Sequence, residues 1–435
     1  MCGYVGYDNT LNKERVLKEY FRRIRKVWNS ELYANNKVIA HNTFAIPVIT
    51  PTFGILNWTK DELAGIDVKT RKILTSTGNF HVNSDVDRLY AHRNKGGRGL
   101  NSLADIYIAR IISISWHLKE KSDRNPYLAL VLEHERDTLI RVADQLTTCF
   151  NVEAKETDTP KSISKRVKEE MKDSHLQAWI DKPQHGYLMR TRKDVEGCHE
   201  NATKAWLKKS TFSSHVEGYL CAVQEEEIFT NALKARRLKD NNPEKANCRL
   251  CKRNKESIQH IIAACPRLSI SMYLPWRHNR VANIVYQKIH PKADEGPWQS
   301  IREVYATDDV EIWWDTKIRT LQKLEHDRPD IVLWRKKEHK CFILDICVCL
   351  DVNIDKNIKQ KLDNYLPLAA ELKRLYKEFD FEILPVVIGA TGLVTKRTFD
   401  VFKTLGIRDV EDTILKCQKC ALTGTMKIVK SFMKM

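Results

Sequence analysis

Apolar residues recur at helical spacing through the first third of the chain. Over residues 12–32 they follow the i, i+3, i+4 spacing that lines one helix face: Val16, Leu17, Tyr20, Phe21, Ile24, Val27 and Trp28. Similar spacing predicts further helices over 35–58, 61–74, 83–90, 101–121 and 126–149. The helix over 35–58 is expected to be kinked near Pro47 and Pro51. The pattern therefore predicts a helical domain over residues 1–150.

The pattern changes along the rest of the chain. Residues 151–214 are polar apart from a predicted helix at 161–181, and we interpret them as a linker. Residues 215–290 hold helical stretches around a group of cysteines. After residue 291, apolar β-branched runs predict buried strands at 329–334, 340–350 and 381–389. Helices are predicted between and after them, at 355–379, 395–405 and 409–417. That alternation indicates an α/β domain over 291–435, so the predicted fold class is multidomain α and α/β.

The balance of charge gives the first indication of a partner. Lys and Arg number 73 against 56 Asp and Glu, a net charge of +17, and a surface this basic attracts polyanions. Hydrophobic residues make up 42% of the chain, enough to exclude a wholly disordered protein. No apolar run approaches the ~20 residues that span a bilayer. Nucleic acid is therefore the expected partner, and a basic protein without such a role is the alternative.

The cysteines point to a metal rather than to disulfides. The chain has 12 Cys and no apolar secretory segment after Met1, so reduced thiols in the cytoplasm or nucleus are expected. Residues 248–265 have the spacing C-x2-C-x8-H-x4-C, in which Cys248, Cys251, His260 and Cys265 suit a closed, structural Zn²⁺ site. The alternative is four residues without a metal.

A group of basic residues lies inside this cysteine-rich segment. Lys252, Arg253 and Lys255 follow the second cysteine directly. A loop fixed by a metal and carrying this charge suits contacts with phosphate. The alternative interpretation is a solvated basic face.

Two acidic residues mark the predicted α/β domain. Asp330 opens one strand and Asp345 lies in the next, 15 positions later, so a hairpin brings them together. Two neighbouring carboxylates can hold Mg²⁺ or Mn²⁺. This is the layout of the PD-(D/E)xK nuclease fold, but Cys347 stands where the usual lysine follows the second acid. We therefore expect Lys361, from the following helix, to position or polarise the hydrolytic water.

Other interpretations of the acidic segment stay open. Asp330 can be a turn residue and Asp345 a charge at a strand edge, although burying an unpaired Asp in an apolar strand is costly. Tyr365 follows Lys361 at i+4. It can reach the same phosphate, or it can be a core aromatic of the helix.

These parts follow one another in a familiar order. The chain resembles the carboxy-terminal half of the reverse transcriptase polyprotein of non-LTR (LINE-type) retrotransposons, in the class that carries a restriction-like endonuclease. The resemblance covers nearly the whole chain. For the polymerase part it rests on Tyr4-Val5-Gly6 at the end of the palm and on residues 45–74 and 85–100 in the thumb. For the zinc-knuckle region it rests on 215–231, 248–265 and 276–285. For the endonuclease it rests on 328–365 and 384–394.

The resemblance implies an activity and partners. In the family the endonuclease nicks target DNA, and the freed 3′ hydroxyl primes reverse transcription of the element RNA, which places the protein in the nucleus. It implies a helical thumb-like domain, a CCHC knuckle with structural Zn²⁺ and a PD-(D/E)xK-type nuclease. The implied catalytic residues are Asp330, Asp345, Lys361 and Tyr365.

The chain departs from the family at two places. The Tyr-x-Asp-Asp motif of the polymerase palm is absent, so no polymerase activity of the chain alone is expected. Asn364 stands where many relatives have a lysine before the tyrosine of the endonuclease helix. The alternative function is a non-catalytic nucleic-acid-binding remnant of such an element.

The first domain is expected to contact the backbone of the DNA target or the element RNA. Its proposed contacts are basic residues of the 12–32 helix and of the glycine-rich loop near residue 96. They are Arg22, Arg23, Arg25, Lys26, Arg93, Lys95 and Arg98.

Overall fold

The structure is a computed structural model that describes residues 9–150, 158–209, 211–239, 242–290 and 303–435. The Tyr4-Val5-Gly6 segment lies outside the described residues. The chain divides into two compact units, one formed by Met1–Pro183 with Thr211–Cys221 and the other by Gln184–Ser210 with Ala222–Met435. It combines many helices with one five-stranded mixed sheet, which agrees with a multidomain α and α/β fold. None of the described helices has the length and hydropathy that a membrane span needs.

The first unit is helical in its described residues. Its α-helices are α1 (Asn9–Trp28), α2 (Ala34–Ala40), α3 (Lys60–Ser76), α4 (Val86–Tyr90), α5 (Leu103–Lys121), α6 (Pro126–His134), α7 (Arg141–Cys149) and α8 (Pro160–Asp181). The apolar face of α1 supplies Tyr20, Ile24 and Trp28 to the core, as its spacing predicts. Polar residues set the starts of other helices. Thr59 and Glu62 form a capping box at α3, and Ser102 caps α5.

Two predicted helices of this unit are interrupted. The stretch predicted at 35–58 ends as an α-helix at Ala40 and continues as a π turn (His41–Ala45) and two 3₁₀ turns (Ile46–Val48 and Thr50–Thr52). Pro47 and Pro51 lie in those 3₁₀ turns, where their missing N–H groups break the α-helical ladder. The stretch predicted at 126–149 is divided by a π turn at Arg136–Ile140.

The prediction that residues 151–214 form a linker is wrong for α8, which packs into a core. Ile163, Val167 and Met171 of this helix are buried in the same core as α5. The charged residues of its exposed face made the segment look polar as a whole, and they hid a stripe of apolar residues at i, i+4 spacing. Residues 160–181 are therefore part of the first unit.

The second unit surrounds the sheet with helices. The strands are β1 (Val304–Ala306), β2 (Val310–Trp314), β3 (Ile331–Arg335), β4 (Lys340–Cys349) and β5 (Asp380–Gly389). The helices are α9 (Tyr187–Thr191), α10 (Glu200–Thr203), α11 (Ala205–Lys209), α13 (Asn231–Arg237), α14 (Asn279–Ile289), α15 (Ile354–Leu375), α16 (Lys396–Thr404) and α17 (Val410–Phe432). The chain first enters the second unit after Pro183, and its last crossing into that unit lies within α12 (Ser214–Gln224).

The sheet has the order β1-β2-β3-β4-β5. The pairs from β1 to β4 are antiparallel, and β4 pairs with β5 in parallel. A parallel pair needs a crossover connection, which α15 supplies. The predicted strands after residue 329 agree with β3, β4 and β5. The sequence pattern missed β1 and β2, because they are short and only Ile312 of these two strands is buried.

The last helix is much longer than the predicted 409–417. It continues through Thr423, Gly424 and Thr425 to Phe432 as α17. A Cβ atom on Gly424 would lie 2.5 Å from the carbonyl oxygen of Trp276. The glycine therefore allows the backbone of residues 276–277 to approach the helix closely.

Candidate functional site

The second unit contains two clusters of candidate functional residues. In the first, the ligand atoms of Cys248, Cys251, His260 and Cys265 all lie within 4.8 Å of one another. The Cys248 and Cys265 sulfurs are 3.9 Å apart, and the Cys251 sulfur is 3.4 Å from His260 Nε2. A tetrahedron with Zn–S of ~2.3 Å and Zn–N of ~2.0 Å has an S–S edge of about 3.8 Å and an S–N edge of about 3.5 Å. The cluster could therefore hold a metal ion such as zinc.

The electrostatics of this cluster also suit metal ligands. Burial lowers the pKa of His260, which favours the neutral imidazole that a metal requires. Burial raises the pKa of Cys251, but the N–H groups of Arg253 and Asn254 and the neighbouring thiols outweigh it and lower the pKa overall. Burial raises the pKa of Cys265 to about 11, so this thiol needs the metal itself to lose its proton.

The cluster is tied to the residues that follow it. The Tyr273 hydroxyl donates to the carbonyl of Ile261 at 2.8 Å and accepts from the Cys265 N–H at 3.1 Å. Arg277 Nη1 donates to the carbonyl of Ile262 at 2.6 Å and to Thr425 Oγ1 at 3.2 Å. The ligand-bearing turn is thereby connected to the π-helical segment Ser269–His278 and to α17.

The second cluster lies where β3 begins. Ile331 pairs with Leu344, and the next position in the same register places Asp330 opposite Asp345. The strand pairing thus brings the two carboxylates together, as the hairpin prediction requires. Asp345 is 4% exposed, so it is a buried carboxylate rather than a charge at a strand edge.

Asp330 is held by two donors on one oxygen. The Ile346 N–H donates to Asp330 Oδ2 at 2.6 Å, and His278 Nε2 lies 3.1 Å from the same oxygen. Within the described part of the chain, Oδ1 is therefore the oxygen left for another ligand. Burial lowers the pKa of His278, but Asp330 outweighs it and raises the pKa to about 9, so the imidazole is charged at neutral pH.

Asp345 is engaged by two residues of α15. Lys361 Nζ lies 2.5 Å from Asp345 Oδ2, and the Tyr365 hydroxyl donates to Oδ1 at 3.0 Å. Burial and the Asp330 charge raise the pKa of Asp345, and Lys361 and Tyr365 offset part of that rise. Burial lowers the pKa of Lys361, but Asp345 outweighs it, so the pKa is raised and the ammonium stays charged.

Tyr365 is a core aromatic of α15, and its contact with a phosphate stays a prediction. Its ring is 5% exposed and packs with Val332, Ile343 and Leu368 in a core cluster. Its hydroxyl reaches out of that core to Asp345 and to the Arg328 carbonyl, 3.2 Å away. Tyr365 therefore orients a carboxylate from within the core.

The basic residues of α1 and of the cysteine-rich loop lie at the surface. Arg22 and Arg23 share Glu19 at 2.6 Å and 2.7 Å, and Arg25 and Lys26 are exposed. Lys252, Arg253 and Lys255 are exposed as well. These side chains are accessible to a polyanion.

The loop near residue 96 requires a correction. Arg98 is 1% exposed, and its guanidinium contacts Glu217 at 3.0 Å and the Asn79 carbonyl at 2.8 Å. Arg93 also pairs with Glu217 and is 11% exposed. A buried carboxylate must be paired, and these two arginines serve that purpose, so they are not surface phosphate contacts. Lys95 stays at the surface, 2.5 Å from Asp173.

Sequence reasoning missed His278. It is 52 residues from Asp330 in the sequence, so no local spacing could relate the two. The only signal was its place in the 276–285 segment, which was noted for its order in the chain and not for its chemistry.

Comparisons with known proteins add no name to these sites. No family model matches the chain, and no curated protein matches it with significance.

Proposed function

We propose that the protein binds nucleic acid and that its second unit is a divalent-metal-dependent DNA endonuclease. One observation carries the proposal: Asp330, at the start of β3, comes opposite Asp345 of the paired strand β4, and Lys361 lies directly on the second carboxylate. The net charge of +17 supports a polyanionic substrate.

The residues fit a divalent cation with oxygen ligands. Mg²⁺ typically uses one or two carboxylates together with waters and phosphate oxygens. Asp330 Oδ1 and Asp345 would hold the ion, because Asp330 Oδ2 is already occupied by its two donors. When bound, Mg²⁺ or Mn²⁺ supplies Lewis-acid stabilisation of the charge that builds on the scissile phosphate.

The remaining residues act on water and on charge. The Lys361 ammonium stands beside the carboxylates, where it can hold the attacking water and offset the negative charge of the transition state. Tyr365 and the Ile346 N–H each fix one carboxylate, so that ligand positions are set before substrate arrives. Lys361 of α15 would thus take the role of the usual lysine after the second acid, a position where this chain has Cys347.

This arrangement supports the family resemblance as a proposal. The fold of the second unit is proposed to be of the PD-(D/E)xK type, the helical first unit to be thumb-like, and the Cys₃His cluster to be a zinc knuckle. The protein would then nick target DNA to prime reverse transcription, in the nucleus, with DNA and element RNA as partners.

A second candidate has one observation in its favour. Both oxygens of Asp345 are engaged, by Lys361 and by Tyr365, so a cation has to compete with the lysine for the negative charge of this carboxylate. A chain in which the cation loses that competition would bind nucleic acid without cutting it.

Nicking of supercoiled plasmid in Mg²⁺ or Mn²⁺ tests the proposal. The wild-type protein is expected to nick. Asp345→Asn keeps the side-chain volume but removes the charged ligand, and should slow nicking by on the order of 10³-fold, as expected for several kcal/mol of lost metal stabilisation. Exposed Asp363→Asn, on the outer face of α15, is the matched control and should nick normally. Wild-type protein that binds DNA and never nicks it would establish the second candidate.

A further inference from the structure

His278 approaches the carboxylate cluster from outside the sheet. It is the last residue of the π-helical segment Ser269–His278, whereas Asp330 directly precedes β3, and Asp345 and Lys361 belong to β4 and α15. Its Nε2 lies 3.1 Å from Asp330 Oδ2, and its Nδ1 lies 3.0 Å from Asn279 Oδ1. Both ring nitrogens therefore have oxygen partners, which fixes the orientation of the ring.

The backbone that carries His278 is anchored on both sides. The preceding Arg277 is 1% exposed and reaches the Ile262 carbonyl and Thr425. Gly424 lets α17 contact the carbonyl of Trp276, where a Cβ would lie 2.5 Å away. His278 is thus held in place by buried contacts, and its position does not depend on Asp330 alone.

The two donors on Asp330 come from different elements. The Ile346 N–H belongs to β4, and His278 belongs to the segment before α14. One donor fixes the position of an oxygen but leaves the carboxylate free to rotate about it. A second donor on the same oxygen, from another direction, fixes the plane of the group and the direction of Oδ1.

We propose that His278 is a positioning residue of the divalent-cation site, which holds the Asp330 carboxylate so that Oδ1 faces the cation. The inference rests on the proposed nuclease function and adds a residue to its machinery. Partners that orient a metal ligand typically change metal affinity or activity by 10–100-fold when they are removed. His278 contacts the ligand and not the reacting atoms, so its effect should fall on cation binding first.

The test measures Mn²⁺ binding by titration calorimetry and nicking across a range of Mn²⁺ concentrations, on zinc-loaded full-length protein. For His278→Ala, the Kd for Mn²⁺ and the half-saturating Mn²⁺ concentration should both rise by about 10–100-fold. The nicking rate at saturating Mn²⁺ should change much less. His278→Gln places an amide N–H where Nε2 stood and should restore most of the affinity. His117→Ala, at an exposed histidine of the first unit, is the control and should behave as wild type.

The outcomes distinguish a failure of this inference from a failure of the proposed function on which it rests. If wild-type protein binds Mn²⁺ and nicks, and His278→Ala does the same at equal Mn²⁺ concentrations, the positioning role is overturned. If His278→Gln is as impaired as His278→Ala, loss of packing rather than of the donor is responsible, and the role is again overturned. If wild-type protein neither binds Mn²⁺ nor nicks, the proposed function fails, and this inference fails with it.

Discussion

The Cys₃His cluster and the carboxylate cluster lie in the same compact unit but are built in opposite ways. Cys248 and Cys265 are 17 residues apart, and every ligand belongs to one short stretch of chain. The carboxylate cluster joins His278, Asp330, Asp345 and Lys361 from separate elements. We therefore expect a site built from one short stretch to depend on its metal for local folding, whereas a site assembled from separate elements takes its geometry from the fold.

The two clusters also differ in ligand chemistry. Thiolates and imidazole suit Zn²⁺, and carboxylates suit Mg²⁺ or Mn²⁺. They are nevertheless connected, because Tyr273 and Arg277 bond to the ligand-bearing turn and His278 follows at once. The sequence alone predicted an α/β domain over 291–435 that is separate from the cysteine-containing region at 215–290, and these contacts instead join the two.

Removing Cys251, a proposed zinc ligand, should have the largest effect. Apparent binding free energies of structural zinc sites are about 10–16 kcal/mol, so Cys251→Ser should lose the metal and destabilise the second unit. Because Arg277 positions the backbone before His278, nicking should fall as well. Zinc content by mass spectrometry, thermal unfolding and plasmid nicking measure the three consequences.

Cys149→Ser supplies the control for that experiment. Cys149 is an exposed cysteine of the first unit, so its replacement should leave zinc content, stability and nicking unchanged. A Cys251→Ser protein that lacks zinc but nicks at the wild-type rate would show that the two clusters are independent.

Removing the helix-borne lysine should have the next largest effect. Lys361→Met keeps the aliphatic chain and removes the ammonium beside Asp345, which should slow nicking by about 10²-fold or more at saturating Mn²⁺. Lys359→Met, at an exposed lysine of the same helix, should nick at close to the wild-type rate. Equal rates for the two variants would remove Lys361 from the mechanism.

The acid dependence of cation binding sharpens the contrast further. The proposed cation site needs Asp345 as the carboxylate, and burial beside Asp330 raises its pKa above the ordinary value of 3.8. As pH falls, the protonated form should therefore release Mn²⁺ at a higher pH than an ordinary aspartate would. Lys361→Met removes a charge that lowers this pKa, so the midpoint should move higher still. Mn²⁺ binding followed by electron paramagnetic resonance across the acid range measures both midpoints, and unchanged midpoints would contradict the assignment.

The sequence predicted the local features well and the assembled ones in part. Helical spacing placed α1, α3 and α5, and cysteine spacing placed the complete Cys₃His cluster. The Asp330–Asp345 pair could be predicted because one hairpin sets its register. Lys361 could be proposed because Cys347 stands where the usual lysine is expected, so that a lysine had to come from the following helix.

The remaining features depend on contacts between distant residues. Trp276 and Arg277, the residues before His278, contact α17, and no spacing along the chain encodes those contacts. The pairing of Arg98 with a buried carboxylate could not be predicted, for the same reason. Its partner Glu217 is 119 residues away, and an arginine in a glycine-rich loop looks exposed until that carboxylate is placed.

The smallest effect concerns the surface charges. Replacing Lys252, Arg253 and Lys255 together by Ala should lower the slope of log affinity against log salt by about 0.9 for each duplex phosphate that the variant no longer neutralises. Arg98→Met should instead lower thermal stability and leave the slope unchanged, because its guanidinium is paired inside the first unit. Fluorescence anisotropy with labelled duplex DNA at several salt concentrations measures the slopes. A triple variant with the wild-type slope would exclude this loop from the nucleic-acid interface.

Ligand chemistry should make the two clusters of the second unit select two different metals. Anomalous difference maps, collected at the zinc and manganese absorption edges from crystals soaked in Mn²⁺, test this selection most directly. We expect a zinc peak among Cys248, Cys251, His260 and Cys265, and a manganese peak between Asp330 and Asp345, on the side of Asp330 Oδ1. A map with no manganese between those two carboxylates, at Mn²⁺ concentrations that support nicking, would contradict their assignment as cation ligands.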